Sequence, residues 1–406
     1  MKTKIYSLFF FCATMLMMQQ ANAQACGARY KDQIFSNVTK TTVTYSSHSS
    51  PTLNYDKMDI YQPTGDTVAM RPLIILAHGG SFYGGSKTQD GTVVSLCNNF
   101  AKRGYVTASI NYRLGDAISM YLDSAYAVET VLKALSDGKS AIRFFRKDAA
   151  TTNTYKINPD IIFVGGNSAG AVLYMHSIYV DSLGELTPFL QNIINNNGGF
   201  EGNSGNDGYS SEALALINLA GGINVPEFVS PGNKPSVNFQ GTVDNTVPYS
   251  CDYPINGAVK VRLCGLGALE PLYTQYNIPH VSVLFPGDGH CPWDGSAPKF
   301  AHVDTTTRDF LYNLMCGQST AVTNITADAN VSVYPNPASS EVNVNSAIRI
   351  STLTMFNNMG QLVAQSNFQN TNGRINTTDF AKGIYYVKIE FADKNIASVT
   401  RKVVIE

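Results

Sequence analysis

The stretch Ile161-Ile162-Phe163-Val164-Gly165-Gly166-Asn167-Ser168-Ala169-Gly170 decides how this chain is read. Four consecutive apolar residues rich in β-branched side chains read as a strand covered on both faces, as in a parallel sheet. Gly166–Gly170 then forms a G-x-S-x-G pattern, and the apolar run Ala169–Val180 continues with helical character. A serine on a sharp strand-to-helix turn is held with its hydroxyl exposed at the carboxyl edge of the sheet. Glycines on either side let the backbone cross without a Cβ clash. The start of the helix adds free N–H groups and a positive dipole end.

Outward from this point, short apolar runs alternate with helical patterns. Strands are expected at Val38–Ser46, Lys57–Tyr61, Pro72–Ala77, Tyr105–Asn111, Asp160–Gly165, Leu214–Ala220, Pro235–Gln240 and Pro279–Phe285. Helices are expected at Thr92–Arg103, Ala117–Leu135, Ser140–Ala149, Ala169–Val180, Ala268–Tyr276 and Thr305–Met315. The alternation predicts an α/β domain over residues 24–316, with a mostly parallel central sheet flanked by helices. The first two strands have no helix between them and are expected to form an antiparallel edge hairpin. The polar, glycine-rich segment 196–211 reads as a long loop able to overhang a pocket. After Gly317 the composition changes. Residues 317–330 read as a linker, and residues 331–406 as short alternating strands of a small all-β sandwich.

The 406 residues are 44% hydrophobic and 15% charged, with 29 Lys+Arg against 30 Asp+Glu. That balance excludes a disordered chain, and no basic stripe suits a nucleic acid. Residues 1–23 have the layout of a secretory signal peptide, with Lys2 and Lys4, an apolar stretch Ile5–Met18 and the small-x-small site Ala21-Asn22-Ala23. The apolar stretch is too short to cross a ~30 Å hydrocarbon layer, so no transmembrane segment is expected after signal removal. Six cysteines then remain, and in an exported chain they can pair. Cys251–Cys264 is the most local option and Cys291–Cys316 the second. No spacing suggests a metal site.

The residues around Ser168 in this pattern point to acyl transfer. His78-Gly79-Gly80-Ser81-Phe82 follows a buried strand, and small residues there let backbone N–H groups reach a developing oxyanion. Gly80, Ser81 and Ala169 are the candidate donors. Among six histidines, His290 lies just past the strand Pro279–Phe285, at the edge where sites of α/β sheets collect. The orienting acid should fall between serine and histidine, and Asp244 follows the strand Pro235–Gln240. Asp288, Asp252 and Asp181 are weaker candidates. His78 is expected to brace its loop. Phe82, Tyr83 and Trp293 flank the motifs as candidate pocket residues.

Together with Asp59-Ile60-Tyr61-Gln62-Pro63, Ile110-Asn111-Tyr112-Arg113-Leu114 and Ser140–Phe145, these motifs resemble the α/β-hydrolase superfamily on its carboxylesterase/lipase side. The resemblance implies cleavage of carboxylic esters through an acyl-enzyme, with no cofactor. Ser81 stands where the usual His-Gly-Gly-Gly motif has its third glycine, and Gly-Thr-x-Asp-x-x-Val-Pro around Asp244 is similar to the dienelactone-hydrolase and acyl-peptidase side. Acetyl and feruloyl esters of polysaccharide are substrates such an exported enzyme would trim. A serine peptidase of acyl-peptidase type and a non-catalytic surface adhesin are the competing readings. In the tail, Val333–Ala338, Phe356–Leu362, Gly383–Val387 and Lys402–Ile405 resemble the carboxyl-terminal sorting domain of the Bacteroidetes type IX secretion system. That implies the secretion machinery as a partner of residues 331–406, and a secreted or surface location.

Overall fold

The computed structural model describes residues 26–48, 54–180, 186–316, 331–346, 348–357, 361–392 and 399–406. The expected signal peptide and linker, Asp181 and part of the Phe356–Leu362 block lie outside these. The chain divides into two compact units, Met1–Met315 and Cys316–Glu406.

The first unit is built on an eight-stranded sheet. Its strands are β1 (Val38–Thr44), β2 (Lys57–Pro63), β3 (Arg71–Ala77), β4 (Val106–Ile110), β5 (Ile157–Asn167), β6 (Ala215–Leu219), β7 (Ser236–Gly241) and, after a two-residue pair β8 (Cys251–Asp252) and β9 (Leu263–Cys264), β10 (His280–Phe285). The spatial order is β1-β2-β4-β3-β5-β6-β7-β10. β1 and β2 run antiparallel at one edge, as expected, and β2 is antiparallel to β4. From β4 to β10 every pairing is parallel. β3 and β6 are buried along their whole length, which is why their sequences are mostly apolar, with Arg71 and Asn218 the buried polar exceptions. Two hydrophobic clusters lie against the sheet, one gathering Ile75, Val164, Leu173 and Tyr174, the other Ile74, Phe163, Phe100 and Trp293.

The helices follow the same logic. Gly91–Lys102 buries Val93, Leu96, Cys97 and Phe100, an i, i+3, i+4, i+7 stripe. Asp90 caps its start by accepting from the Val93 N–H at 3.0 Å. The expected helices Ala117–Leu135 and Ser140–Ala149 are divided differently. A short helix Ala117–Leu122 ends at Asp123, and one 27-residue helix then runs Ser124–Ala150. Ser136-Asp137-Gly138-Lys139, polar in sequence, falls between the two expected helices. These residues instead face inward: Asp137 pairs with Arg113, Lys139 with Glu201, and Ser136 with Ser204. Gly138 lies so close to Leu173 that a Cβ would stand 2.6 Å from Cδ2. A further helix, Pro188–Asn196, precedes the glycine-rich loop.

One expected disulfide forms and one does not. Cys251 and Cys264 are bonded, with their Cα atoms 4.0 Å apart. The pair Cys291–Cys316 is overturned, because Cys291 is a buried free thiol while Cys316 and Cys26 are disulfide-bonded elsewhere. The helix Ala297–Cys316 explains this, since its 20 residues carry Cys316 away along ~30 Å of axis.

The second unit has two antiparallel sheets. One holds β11 (Val331–Tyr334), β12 (Glu341–Ser346) and β15 (Asn372–Asn376) in the order β11-β12-β15. The other holds β13 (Ile350–Asn357), β14 (Leu362–Asn367), β16 (Gly383–Phe391) and β17 (Val399–Ile405) in the order β14-β13-β16-β17. Burial alternates along β12 and β17, and the inward set, including Val342, Val344, Val387 and Val403, makes a separate core. Tyr385 points into that core while Tyr386 is exposed.

Candidate active site

Ser168 sits where β5 turns into the helix Ala169–Tyr179, with φ 52° and ψ −115°. Few non-glycine residues adopt this conformation, and it persists only where the surroundings impose it. Here they do. The Ser168 N–H donates to Leu219 O at 2.8 Å, and the turn presses against the end of β3. A Cβ on Gly170 would stand 2.1 Å from Ala77 O, and one on Gly166 would stand 2.5 Å from the same atom. Both glycines of the motif are therefore needed for close approach.

The three loops expected to carry the chemistry converge. His290 Nε2 lies 2.7 Å from Ser168 Oγ, and His290 Nδ1 lies 2.7 Å from Asp244 Oδ2. The carboxylate accepts a hydrogen bond from Nδ1–H, which keeps the proton there and leaves the Nε2 lone pair free to accept the hydroxyl proton. Asp244 has no exposed side-chain surface and is held by its own turn. Its Oδ1 accepts from the Thr246 and Val247 N–H groups at 2.9 and 3.0 Å. The weaker acid candidates are occupied elsewhere, Asp288 with Lys299 and Asp252 with the Tyr253 N–H.

The segment Gly80–Phe82 folds tightly beside the serine, with φ 124°, 52° and 62° at Gly80, Ser81 and Phe82. Among the described residues, the N–H groups of Gly80, Ser81 and Ala169 have no acceptor in the protein. His78 braces this segment. Its ring stacks on Tyr112 with centroids 4.3 Å apart, and its Nδ1 donates to Gly79 O at 2.6 Å. Burial lowers the His78 pKa, which keeps the ring neutral.

Two residues that the sequence did not single out tie the loops together. Asp90 Oδ2 accepts from the Gly79 N–H at 2.8 Å and from Asn167 Nδ2 at 3.2 Å. Asn167 Oδ1 in turn accepts from Cys291 Sγ at 3.2 Å and from Trp293 Nε1 at 3.3 Å. The residue before the serine thus joins the glycine loop to the residues after His290. Asp90 carries a helix N-cap signature in the sequence. Asn167 carries none that separates it from any other x of the motif.

Ser168 stands between two hollows. On one side is an apolar cavity of about 160 Å³. Its walls include Phe82, Val131, Val172, Leu190 and Val261, with Lys139 and His176 also lining it. On the other side a polar cleft of about 1010 Å³ is lined by Gln89, Thr92, Ser95, His290, Asp294 and Ser296. Of the three candidate pocket residues, Phe82 borders the apolar cavity. Trp293 borders the cleft but is 1% exposed and packs on Phe239 and Phe285. Tyr83 borders neither, and its hydroxyl meets that of Tyr121 at 2.8 Å. Among the described residues, no cluster of His, Cys, Asp or Glu is arranged to hold a metal ion, and no helix is long and apolar enough to cross a membrane.

The first unit has an α/β-hydrolase fold, and the tail is a separate all-β unit. Residues 58–182 match the family model BD-FAE, and residues 332–406 match the secretion system C-terminal sorting domain. The chain therefore carries an esterase-like α/β-hydrolase domain followed by a type IX sorting domain, which directs it to the cell surface or outside. Among solved structures it is similar to the apo form of esterase 2 from Thermogutta terrifontis, at 21% identity and a TM-score of 0.50 over 68% of this chain and 95% of that one. The same esterase phosphonylated by cyclosarin also aligns at 21% and 0.50, over 68% and 94%. A truncated carbohydrate esterase from gut microbiota aligns at 20% and 0.49, over 70% and 98%. At such identities the likeness to the Thermogutta esterase shows the fold. The comparison with curated proteins gives no match.

Proposed function

We propose that the protein is an exported serine carboxylesterase. The observation that carries this reading is the relay of two 2.7 Å contacts, Asp244–His290 and His290–Ser168, at the strained turn after β5. Ser168 Oγ attacks the ester carbonyl carbon while His290 Nε2 takes the hydroxyl proton. Asp244 keeps the Nδ1–H tautomer and stabilises the imidazolium. Charge on the carbonyl oxygen is met by the N–H groups of Gly80, Ser81 and Ala169, worth ~3–4 kcal/mol per donor. His290 then gives its proton to the departing alkoxide, leaving an acyl-serine. Water attacks that acyl carbon, its proton goes to His290 and on to Ser168 Oγ, and a carboxylic acid leaves.

The two hollows support a division of the substrate. The apolar cavity suits the acyl group and the wide polar cleft suits a hydroxyl-rich alcohol such as a sugar of a polysaccharide. A cavity of this kind favours an acyl group larger than acetyl. The test is hydrolysis of p-nitrophenyl esters by the wild type and Ser168→Ala. The expected loss of kcat is on the order of 10⁶-fold. Equal turnover by the two proteins overturns the serine mechanism.

A further inference from the structure

We propose that the disulfide-closed segment Cys251–Cys264 is a selectivity wall that sets which acyl groups Ser168 accepts, and that it does so only in its oxidised form. The inference rests on the esterase reading above and deepens it.

The segment leaves the domain at Cys251 and returns at Cys264. Five residues between them, Pro254, Ile255, Val259, Val261 and Leu263, line the apolar cavity that opens at Ser168. Val259-Lys260-Val261-Arg262-Leu263 alternates, with the apolar residues half-buried and Lys260 and Arg262 exposed. One face of this stretch is thus turned to the cavity and the other to solvent.

Little else holds the wall. Its two ends share a ladder of only two residue pairs, Cys251 with Cys264 and Asp252 with Leu263. Cys264 is anchored to the domain by an isolated bridge to Ile223, with N–H to O contacts of 2.7 and 3.0 Å. At the tip, the Ile255 and Asn256 N–H groups donate to Thr246 O and Asn245 O at 3.1 and 3.0 Å. Both tip residues sit in the left-handed region, at φ 55° and 53°. For a β-branched residue such as Ile255 that conformation needs outside constraint. With the disulfide open, the base of the segment is held by backbone hydrogen bonds alone, too few by this proposal to keep the wall in register against the cavity. Disulfides persist in oxidising compartments and are rare where thiols are kept reduced. A chain bound for the cell exterior therefore completes this wall on the way out.

The wall also touches the turn of Asp244, since the Ile255 N–H donates to Thr246 O and the Thr246 N–H donates to Asp244 Oδ1. That contact gives a competing role for the segment, support of the acid, which would affect every ester alike. The experiment separates the two. Full-length oxidised protein and the double variant Cys251→Ser/Cys264→Ser are compared on p-nitrophenyl acetate and p-nitrophenyl octanoate. The expected result is a fall of at least ~10-fold in the octanoate-to-acetate ratio of kcat/KM, because single methylenes in an apolar pocket already discriminate ~10–200-fold. A second variant, Val261→Trp, keeps the disulfide and fills the cavity from the same wall, so the ratio should fall again. An unchanged ratio in both variants, including an equal loss on the two esters, overturns the inference and leaves the esterase reading standing. Failure of the wild type to cleave either ester overturns the reading and the inference together.

Discussion

The two sides of Ser168 are built from different parts of the chain. The cleft side is made by strand ends and a helix cap: the loop after β3, the turn after β5, the segment after β10 and Asp90 at the start of Gly91–Lys102. Polar side chains there bond to one another across long sequence separations, as in the chain Gly79–Asp90–Asn167–Trp293. The cavity side is made by helix faces and by two excursions from the sheet, residues 186–202 and 251–264, whose contributions are mostly apolar. Strand ends are fixed by the whole sheet, so they can hold groups to the tolerance that proton transfer requires. Excursions can vary without disturbing the sheet, so they suit the choice of substrate. Changes on the cleft side should therefore act on all esters, and changes on the cavity side should act on some.

The largest expected effect tests the cleft side. Asp244→Asn leaves the carboxylate's shape but presents the wrong partner to His290 Nδ1, and should lower kcat ~10⁴-fold. The loss should be the same for acetate and octanoate esters in steady-state assays. A loss confined to one ester would break the division. Next, Asp90→Ala frees both the Gly79 N–H and Asn167, and should cost on the order of 10²-fold through misplacement of the oxyanion donors. It too should leave the octanoate-to-acetate ratio unchanged. On the cavity side, Leu190→Trp narrows the hollow from the other excursion and should reduce that ratio ~10-fold.

The smallest effect concerns pH, and here the two sides should agree. Burial lowers the pKa of His78, behind the oxyanion loop, and of His176, on the cavity wall. Contacts of the His176 ring to Val172 O at 2.8 Å and Asn224 Oδ1 at 3.0 Å act the other way, and burial outweighs them. In the unfolded chain both rings take up protons near pH ~6.5, while in the folded chain they resist until lower pH. The unfolded state then binds more protons, so stability is fully present above ~6.5 and erodes as pH falls below it. A Tm measured from pH 7.5 to 5 should drop by a few degrees, at ~2–4 °C per kcal/mol, and His176→Gln should flatten part of the drop. A Tm indifferent to pH over that range would remove the imidazoles as the cause.

Much of this architecture was legible in the sequence, for a physical reason. Strands covered on both faces, such as Leu73-Ile74-Ile75-Leu76 in β3, have no polar alternation to confuse them, and Ser168 follows one such run, Ile161–Val164. What was illegible depends on which elements meet. The polar break at Ser136–Lys139 lies inside a continuous helix because Arg113, Ser204 and Glu201 arrive from elsewhere to satisfy it. The Cys291–Cys316 pairing failed because local spacing ignores the straight helix between those residues. The roles of Asn167 and Asp90 arise only where loops converge. The alternation at Val259–Leu263 was present in the sequence, but its meaning required the cavity it faces.

Cys97 and Cys291 travel as thiols in a chain that also carries disulfides. Burial pushes Cys97 up to about 12 and Cys291 well above its usual value, so neither forms appreciable thiolate once folded. The native fold thereby keeps two potential partners out of exchange with its own bridges. The hazard falls on the unfolded chain, where every sulfur is equally available. Correct pairing then depends on packing Cys97 under the sheet and Cys291 behind the histidine loop before an oxidant arrives, so the order of collapse and oxidation during export decides the yield of functional protein.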